Sequence, residues 1–376
     1  MDRRKAARRD RRCQATRTRS AVLKLRLLEF IRCPACGGRL DLEASVAAAD
    51  AGHPEVEEGL LRCVPCGLRY PIRDGIPRLI RDVSMSRHAP TARTAVRFGC
   101  LWSHSDPDRT RETGPYHFEK MAATLGLEEP RGVVMDAGCG DGIDLAQHAE
   151  RGGVESIGVE LSDGGCLASA ARIRGRGTAH VVQADLRSLP FADGTFDRVY
   201  SYGVLHHVAS PSVAAGELAR VSRPGAEIAI YLYEDFAERA LAWRLALSLV
   251  NSARWLTTRL PPSLLYAMCR VGSPVVYLLF TVPHHVLRLM PGLKALAGSI
   301  PFRHGRGPCD LAGDLYDRFS APIEYRYSRR TAAELLTQAG LTVTEVGYER
   351  GWMVAARQVA PQASNAQRVT GELAAP

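Results

Sequence analysis

Set aside its first twenty residues and this chain has little net charge. The 376 residues carry a formal +9, and residues 1–20, with nine Lys or Arg against two Asp, supply +7 of it. A body left with +2 has no electrostatic footprint for nucleic acid, so composition does not support an RNA- or DNA-binding reading. Apolar residues are almost missing from residues 1–20, which predicts a disordered tail, and residues 359–376, rich in Ala, Gln and Pro, read the same way. No apolar run follows the basic stretch, so no secretory signal is predicted. The chain reads as cytoplasmic, and the scattered Cys13, Cys100, Cys139, Cys166, Cys269 and Cys309 as reduced thiols. Charge is also scarce between Leu264 and Leu287, where Arg270 is the only charged side chain.

What is present is an ordinary globular composition, 46% hydrophobic and 24% charged, in a chain long enough for more than one domain. One stretch stands out. Val133 to Ala137 reads as a buried strand, Gly138-Cys139-Gly140-Asp141-Gly142 as a tight turn, and a helix opens at about Ile143. Glycines at alternate positions let a ligand approach the backbone closely. The next apolar run, Ser156 to Val159, ends in Glu160, an acid placed to hold a ribose. The spacing misses the Gly-x-Gly-x-x-Gly of dinucleotide sites. An ordinary strand-to-helix turn is the alternative.

Later segments argue against that alternative. Ala179 to Leu186 reads as a third strand ending in an acid, Asp185. Leu189 to Asp197, Arg198 to Val208, and Glu217 to Gly225 follow in order, and Ala226 to Tyr233 reads as a fifth strand. Together with the glycine turn, these segments resemble the class I S-adenosylmethionine-dependent methyltransferases, although Ala226 stands where the family has a second glycine. The resemblance covers roughly residues 96–235 and 313–358. It implies an α/β, doubly wound, seven-stranded Rossmann-like sheet with S-adenosyl-L-methionine as cofactor. It also implies site roles. Asp136, Gly138 and Gly140 would hold the methionine part, Glu160 the ribose, and Asp185 and Leu186 the adenine, with Gly142 and Leu161 as further cofactor-binding residues. Tyr202 would line the methyl group. His207 and His206 are candidate general bases, with packing as their alternative, and Tyr202 is a third catalytic candidate. Tyr116, His117, Tyr325 and Tyr327 are weaker ones.

Cys33-x-x-Cys36 and Cys63-x-x-Cys66 form two knuckles whose four thiolates suit a closed, structural zinc site. The 26 residues between them exceed the usual gap, and Glu43 to Gly59 reads as a polar loop. His53 in that loop reads as a surface residue. A pair of disulfides, or a ribbon without metal, are the alternatives. With Leu68 to Leu79 after the second knuckle, this region resembles the zinc-ribbon family that activates tRNA, rRNA and release-factor methyltransferases.

The predicted organisation is a basic tail at 1–20, a zinc ribbon at 21–83 and a connector at 84–130 carrying aromatics that either cover the cofactor or pack a helix. The methyltransferase domain would span 131–235 and 313–358, with a helical insertion at 236–312 between its parts and a tail at 359–376. Residues 236–306, apolar and broken by prolines, read as several short helices. They would shape an acceptor pocket, touch a membrane surface at the inner face, or serve as structure alone. The last helix is expected over Thr331 to Ala339, with Thr331 and Glu334 as its capping box. Leu341 to Tyr348 and Trp352 to Arg357 should close the sheet as a hairpin. The favoured function is methyl transfer to a small-molecule or lipid-like acceptor. An RNA or protein methyltransferase whose ribbon docks a partner is the rival, disfavoured because Ser201-Tyr202-Gly203-Val204 stands where Asn-Pro-Pro-Tyr/Phe is expected. A non-catalytic S-adenosylmethionine-binding scaffold is the reading from another class.

Overall fold

The computed structural model describes residues 23–48, 55–81, 89–105, 117–303, 307–309 and 311–359. The tail at 1–20, residues 360–376, His53 and Tyr116 lie outside the described residues.

Five strands open the chain: β1 Leu23–Lys24, β2 Leu40–Ala48, β3 Glu55–Cys63, β4 Arg69–Arg73 and β5 Ile76–Pro77. β3 pairs antiparallel with β1, β2 and β4, and β5 pairs with β4. The stretch between the knuckles is therefore mostly a β2–β3 hairpin and not the polar loop expected over Glu43 to Gly59. The alternation Leu40-Asp41-Leu42-Glu43 is a strand pattern, with Leu40 buried and Asp41 exposed, which the region's polar composition hid.

The second sheet contains β6 Gly132–Ala137, β7 Val154–Glu160, β8 Ala179–Gln183, β9 Phe196–Tyr202, β10 Ser222–Leu232, β11 Leu341–Tyr348 and β12 Trp352–Gln358. Their spatial order is β11-β12-β10-β9-β6-β7-β8. β6 to β10 run parallel, and β12 and β11 close the other edge antiparallel. The expected seven-stranded doubly wound sheet is present. β8 stops at Gln183, two residues before Asp185, which lies in the following turn. β10 begins at Ser222, earlier than expected. The chain order reverses beside β6, with β7 on one side and β9 on the other, and that junction opens the crevice where such sheets bind ligands.

An exposed edge strand invites unwanted pairing, and here the ribbon covers β8. Leu79 N–H donates to Gln183 O at 2.8 Å, and Arg32 N–H to Pro190 O at 2.7 Å. Lys24 Nζ reaches Ala179 O at 2.7 Å, and Arg26 pairs with Glu155 at 2.8 Å. Leu23, Leu27 and Ile31 are continuous with the core formed by Val182, Phe191 and Phe196.

The helices are α1 Pro90–Trp102, α2 His117–Leu125, α3 Ile143–Glu150, α4 Asp163–Arg172, α5 Pro211–Val221, α6 Leu241–Thr257, α7 Pro262–Leu289, α8 Lys294–Ser299, α9 Ala312–Ser320 and α10 Arg329–Thr337. α10 is capped by Ser328, not Thr331: the Ser328 hydroxyl accepts from Thr331 N–H while Thr331 Oγ1 accepts from Ser328 N–H. A Thr at N3 performs the return bond that sequence reasoning assigned to Glu334.

The insertion departs from the expected short helices. α7 runs continuously for 28 residues, through Pro274 and Pro283. A wider π turn at Tyr277–Thr281 absorbs the missing donors between them. Its inner face holds Leu265, Cys269 and His284 against the protein. Ser273 donates to Pro308 O at 2.6 Å and His284 Nδ1 to Ala297 O at 2.8 Å. Its outer face is apolar at helical spacing, through Leu264, Met268, Val271, Val275 and Leu278 to Val286 and Leu289, all exposed. Val271 is 79% exposed and Leu289 81%. α6 adds Leu241, Leu245 and Leu249 to that surface. Between Arg239 and Asp310 there are eight Lys or Arg and no acid. The near-neutral body thus conceals a cationic insertion, a local asymmetry that the global charge balance obscured.

Candidate functional site

Gly138 and Cys139 both donate backbone N–H groups to Val159 O, at 2.8 and 3.1 Å, which ties the glycine turn to the end of β7. Gly138 has φ +92°, and a β-carbon there would lie 2.3 Å from Val204 Cγ2. Gly140 has φ +54°, and its β-carbon would lie 2.8 Å from the Trp102 indole. Both positions therefore need glycine twice over, for conformation and for space.

Carboxyl groups converge on this turn. Asp136, on β6, and Glu160, at the tip of β7, are both buried. Burial first, then the neighbouring Asp144, pushes the Asp136 carboxyl well above its usual range. Burial likewise raises Glu160, against the pull of its hydrogen bonds. Glu160 accepts from Gly140 N–H at 3.1 Å and from Ser162 N–H at 2.8 Å. Its two oxygens keep lone pairs for further donors. Burial also pushes Asp144 up, but the hydrogen bond and charge of His117, 3.0 Å away, outweigh it and hold that carboxyl low. Asp141 is paired with Arg172 at 2.6 Å and accepts from Ser105 as well. The cup thus has an acidic excess. It suits a ligand that brings an ammonium, a sulfonium and hydroxyl donors, as S-adenosylmethionine does.

The other predicted cofactor residues are also placed at this edge. Gly142 caps α3 in a left-handed conformation. Leu161 is half-buried, and its carbonyl accepts from Gln183 at 3.0 Å. Leu186 is buried. Asp185 differs from its expected role of waiting for adenine. Both of its oxygens are engaged by the Arg187 guanidinium, at 3.0 and 2.6 Å, and one also accepts from Arg187 N–H. An adenine amino group would have to share that carboxylate. Tyr202, at the tip of β9, is stacked between His117 and Tyr231, each with ring centroids 4.5 Å away.

His206 and His207 form the floor beyond β9. His207 Nδ1 donates to Ile323 O at 2.7 Å, which leaves Nε2 as the basic nitrogen, buried and without a partner among the described residues. Burial lowers His207 to about 4 and His206 well below its ordinary value. Both rings are neutral near pH 7 and weakly basic. His206 packs on Tyr233 with centroids 3.9 Å apart, and Phe98 of α1 lies 5.0 Å from His207. Tyr325 and Tyr327 hydrogen-bond through their backbones to His206 O and Tyr233 O.

Sequence reasoning missed several participants. The connector aromatics Phe98 and Trp102 had two readings, covering the cofactor or packing a helix, and the sequence did not say which ring goes where; α1 carries Trp102 to the glycine turn and Phe98 to the histidine floor. Phe118, from the same connector, is buried in a separate core with Tyr200. The pairing of Asp141 with Arg172 had no signal, since 31 residues separate the two.

At the ribbon, the sulfurs of Cys33, Cys36, Cys63 and Cys66 all lie within 4.8 Å of one another, with Cys33–Cys66 at 3.7 Å and Cys36–Cys63 at 3.4 Å. Tetrahedral zinc with bonds of about 2.3 Å places its sulfurs about 3.8 Å apart, so the donor set fits zinc. All four cysteines are free of disulfides. Four thiolates leave no open coordination position, which suits a structural ion.

Comparison with known proteins adds two family matches. Residues 135–230 match the methyltransferase domain model, and residues 24–75 match the model of Trm112p-like proteins. Among individual relatives, the chain is 30% identical over 138 residues to "Methyltransferase GfsG" of Streptomyces halstedii, covering 36% of this chain and 49% of the relative. It is 35% identical over 109 residues to "Probable tRNA methyltransferase 9B" of Mus musculus, covering 28% and 23% respectively. The chain thus spans about half the length of the first and about a quarter of the second. A solved complex of the Haloferax volcanii Trm112 methyltransferase activator with a methyltransferase overlays 70% of this chain and 98% of that one, at 14% identity and a TM-score of 0.41. Both family matches fall where the sequence motifs placed them.

Proposed function

For a chain in which a Trm112p-like segment precedes a methyltransferase domain, we propose S-adenosylmethionine-dependent methyl transfer to a small-molecule or lipid-like acceptor. The cofactor supplies an electrophilic methyl group when bound. This chain's residues would hold it. Asp136 would face its ammonium, Glu160 its ribose hydroxyls and Leu186 its adenine, while the glycine turn gives backbone access. Trp102 at Gly140, and Tyr202 clamped between two rings, would exclude water from the reacting centre, where alignment and desolvation supply much of the rate. Of the two histidines, His207 has its ring fixed by Ile323 O, which leaves Nε2 as its basic nitrogen. At about 4 it suits an acceptor that needs little help losing its proton.

The observation that carries the acceptor class is the outward apolar face of α6 and α7 within residues 240–309, a stretch with eight Lys or Arg and no acid. A helix surface of this kind matches the interface of an anionic bilayer. We place the protein in the cytoplasm, at the inner membrane face, with α7 lying along the surface. The decisive experiment incubates the protein with tritiated S-adenosylmethionine and phosphatidylglycerol vesicles, or with total RNA. Label entering the organic extract supports this reading; label entering only RNA overturns it. The RNA reading draws on the Trm112p-like match, but that segment is already docked on β8 of its own chain.

Replacing Glu160 with Gln tests the cofactor site. The amide can accept at one position only, so a backbone N–H of Gly140 or Ser162 loses its partner along with a ribose contact. Affinity for S-adenosylmethionine should fall about 10- to 100-fold, the scale of a lost charged hydrogen bond, with the far-UV spectrum unchanged. Unchanged affinity by calorimetry would reject Glu160 as the ribose ligand.

A further inference from the structure

A cavity of about 620 Å³ opens between α1, α6 and the segment Ala321 to Arg326. Four guanidinium groups line it, from Arg93, Arg254, Arg259 and Arg326, against a single carboxylate, Glu324. Glu324 is already engaged by Arg254 and Arg326, both mostly buried, with the Arg326 contact at 2.6 Å. Arg254 donates its remaining Nη2 to Ala321 O at 2.8 Å. Burial first, then the charge of Arg326, pulls Arg254 down to about 10. Among the described residues Arg93 and Arg259 have no carboxylate partner: Arg93 donates to Thr258 O at 3.1 Å, and Arg259 donates to Trp255 O and lies 3.8 Å over the Trp255 ring. Both are exposed. The buried triad fixes one wall of the cavity, and the two exposed arginines are left to meet a ligand.

The position matters as much as the charge. Segment 321–326 is the one that bonds to the histidine floor, through Ile323 O and Tyr325 N–H. α1 carries Arg93 at the cavity, Phe98 on His207 and Trp102 on the glycine turn. Nine residues at about 1.5 Å each separate Arg93 from Trp102, so the cavity lies on the order of 13 Å along α1 from the cofactor turn.

We propose that this cavity is an anion site that grips a phosphate or carboxylate of the methyl acceptor and holds its reacting atom toward the histidine floor. The inference deepens the proposed function and rests on it. Planar guanidinium groups bind such oxyanions bidentately, and the volume is that of a small-molecule site. The apolar helices outside would carry the acceptor's hydrocarbon part.

The test uses the full chain with zinc bound and compares Arg93→Gln/Arg259→Gln with the wild type. Glycerol 3-phosphate is titrated by calorimetry, and vesicles of phosphatidylcholine with or without phosphatidylglycerol are assayed by flotation. Arg244→Gln/Arg288→Gln removes the same charge from the insertion outside the cavity. The expected result is a tenfold or greater loss in the cavity variant alone. Loss of glycerol phosphate binding points to a soluble acceptor, and loss of phosphatidylglycerol binding without it points to a lipid headgroup. Equal losses in both variants would reduce the effect to general charge and overturn the proposal, as would binding of neither probe by the wild type. S-adenosylmethionine affinity should be the same in all three proteins. If the wild type fails to bind that compound, the methyltransferase reading fails, whatever the anion result.

Discussion

Chelating the zinc that the four-thiolate cluster would hold, or replacing Cys63 with Ser, should unfold the front of the chain and uncover the β8 edge of the catalytic sheet. The free energy of structural zinc is about 10–16 kcal/mol in isolated zinc-finger peptides, and it is spent on folding. Here the ribbon's core is shared with the sheet: Cys63 is fully buried, in the same cluster as Leu61, Ile31, Val182 and Phe191. Losing it removes the partners of Gln183, Ala179 and Pro190 along one edge and exposes strand groups that pair readily with other chains. We expect the melting temperature to fall by on the order of 10 °C or more. Amide exchange should accelerate at Ala179–Gln183, and aggregation should follow. Unchanged exchange at β8 after complete zinc release would show that the ribbon is an independent appendage.

S-adenosylmethionine should bind more tightly as pH rises, because Asp136 must be ionised to receive an ammonium. The sign follows from the direction of its shift. Burial and Asp144 hold the Asp136 carboxyl well above the ordinary value, so the free protein retains that proton into a range where a free carboxyl would have lost it. Binding a cation expels the proton. Below the raised pKa, affinity should therefore drop by about tenfold per pH unit for one proton released. Above it the curve should flatten. Titration in two buffers of different ionisation enthalpy reads the released proton directly. Asp136→Asn should bind weakly and show no such slope. A wild-type affinity flat from pH 5 to 8 would mean that the ammonium meets some other group.

Much of the site was legible because its determinants are local. A strand, alternate glycines and an acid at the next strand tip occupy one short stretch. Gly138, Gly140 and Glu160 were readable there, and the structure adds only what fills the space beside them. The two knuckles were equally legible, since two residues of spacing aim two thiolates at one point. Asp185 was expected to accept from an adenine amino group, and its carboxylate is already held by Arg187, two residues on, an ion-pair partner that motif reasoning ignores. The Ser328 cap was missed because Thr can return the N3 bond usually assigned to Glu or Gln. The β2–β3 hairpin was missed because polar composition outweighed a short alternation. α7 was broken into pieces on paper because prolines are helix breakers, and a π turn accommodates them.

By itself, then, the chain's order of residues determined the parallel sheet, the glycine turn, the four-thiolate cluster and the presence of an apolar insertion, since each depends on neighbours a few positions apart. Tertiary structure alone decided that the ribbon closes the β8 edge, which of the two readings of the connector applies to Trp102, and that arginines from residues 93, 254, 259 and 326 face one cavity. Those contacts join segments tens to hundreds of residues apart, and their geometry follows from how buried faces pack, which no local pattern encodes.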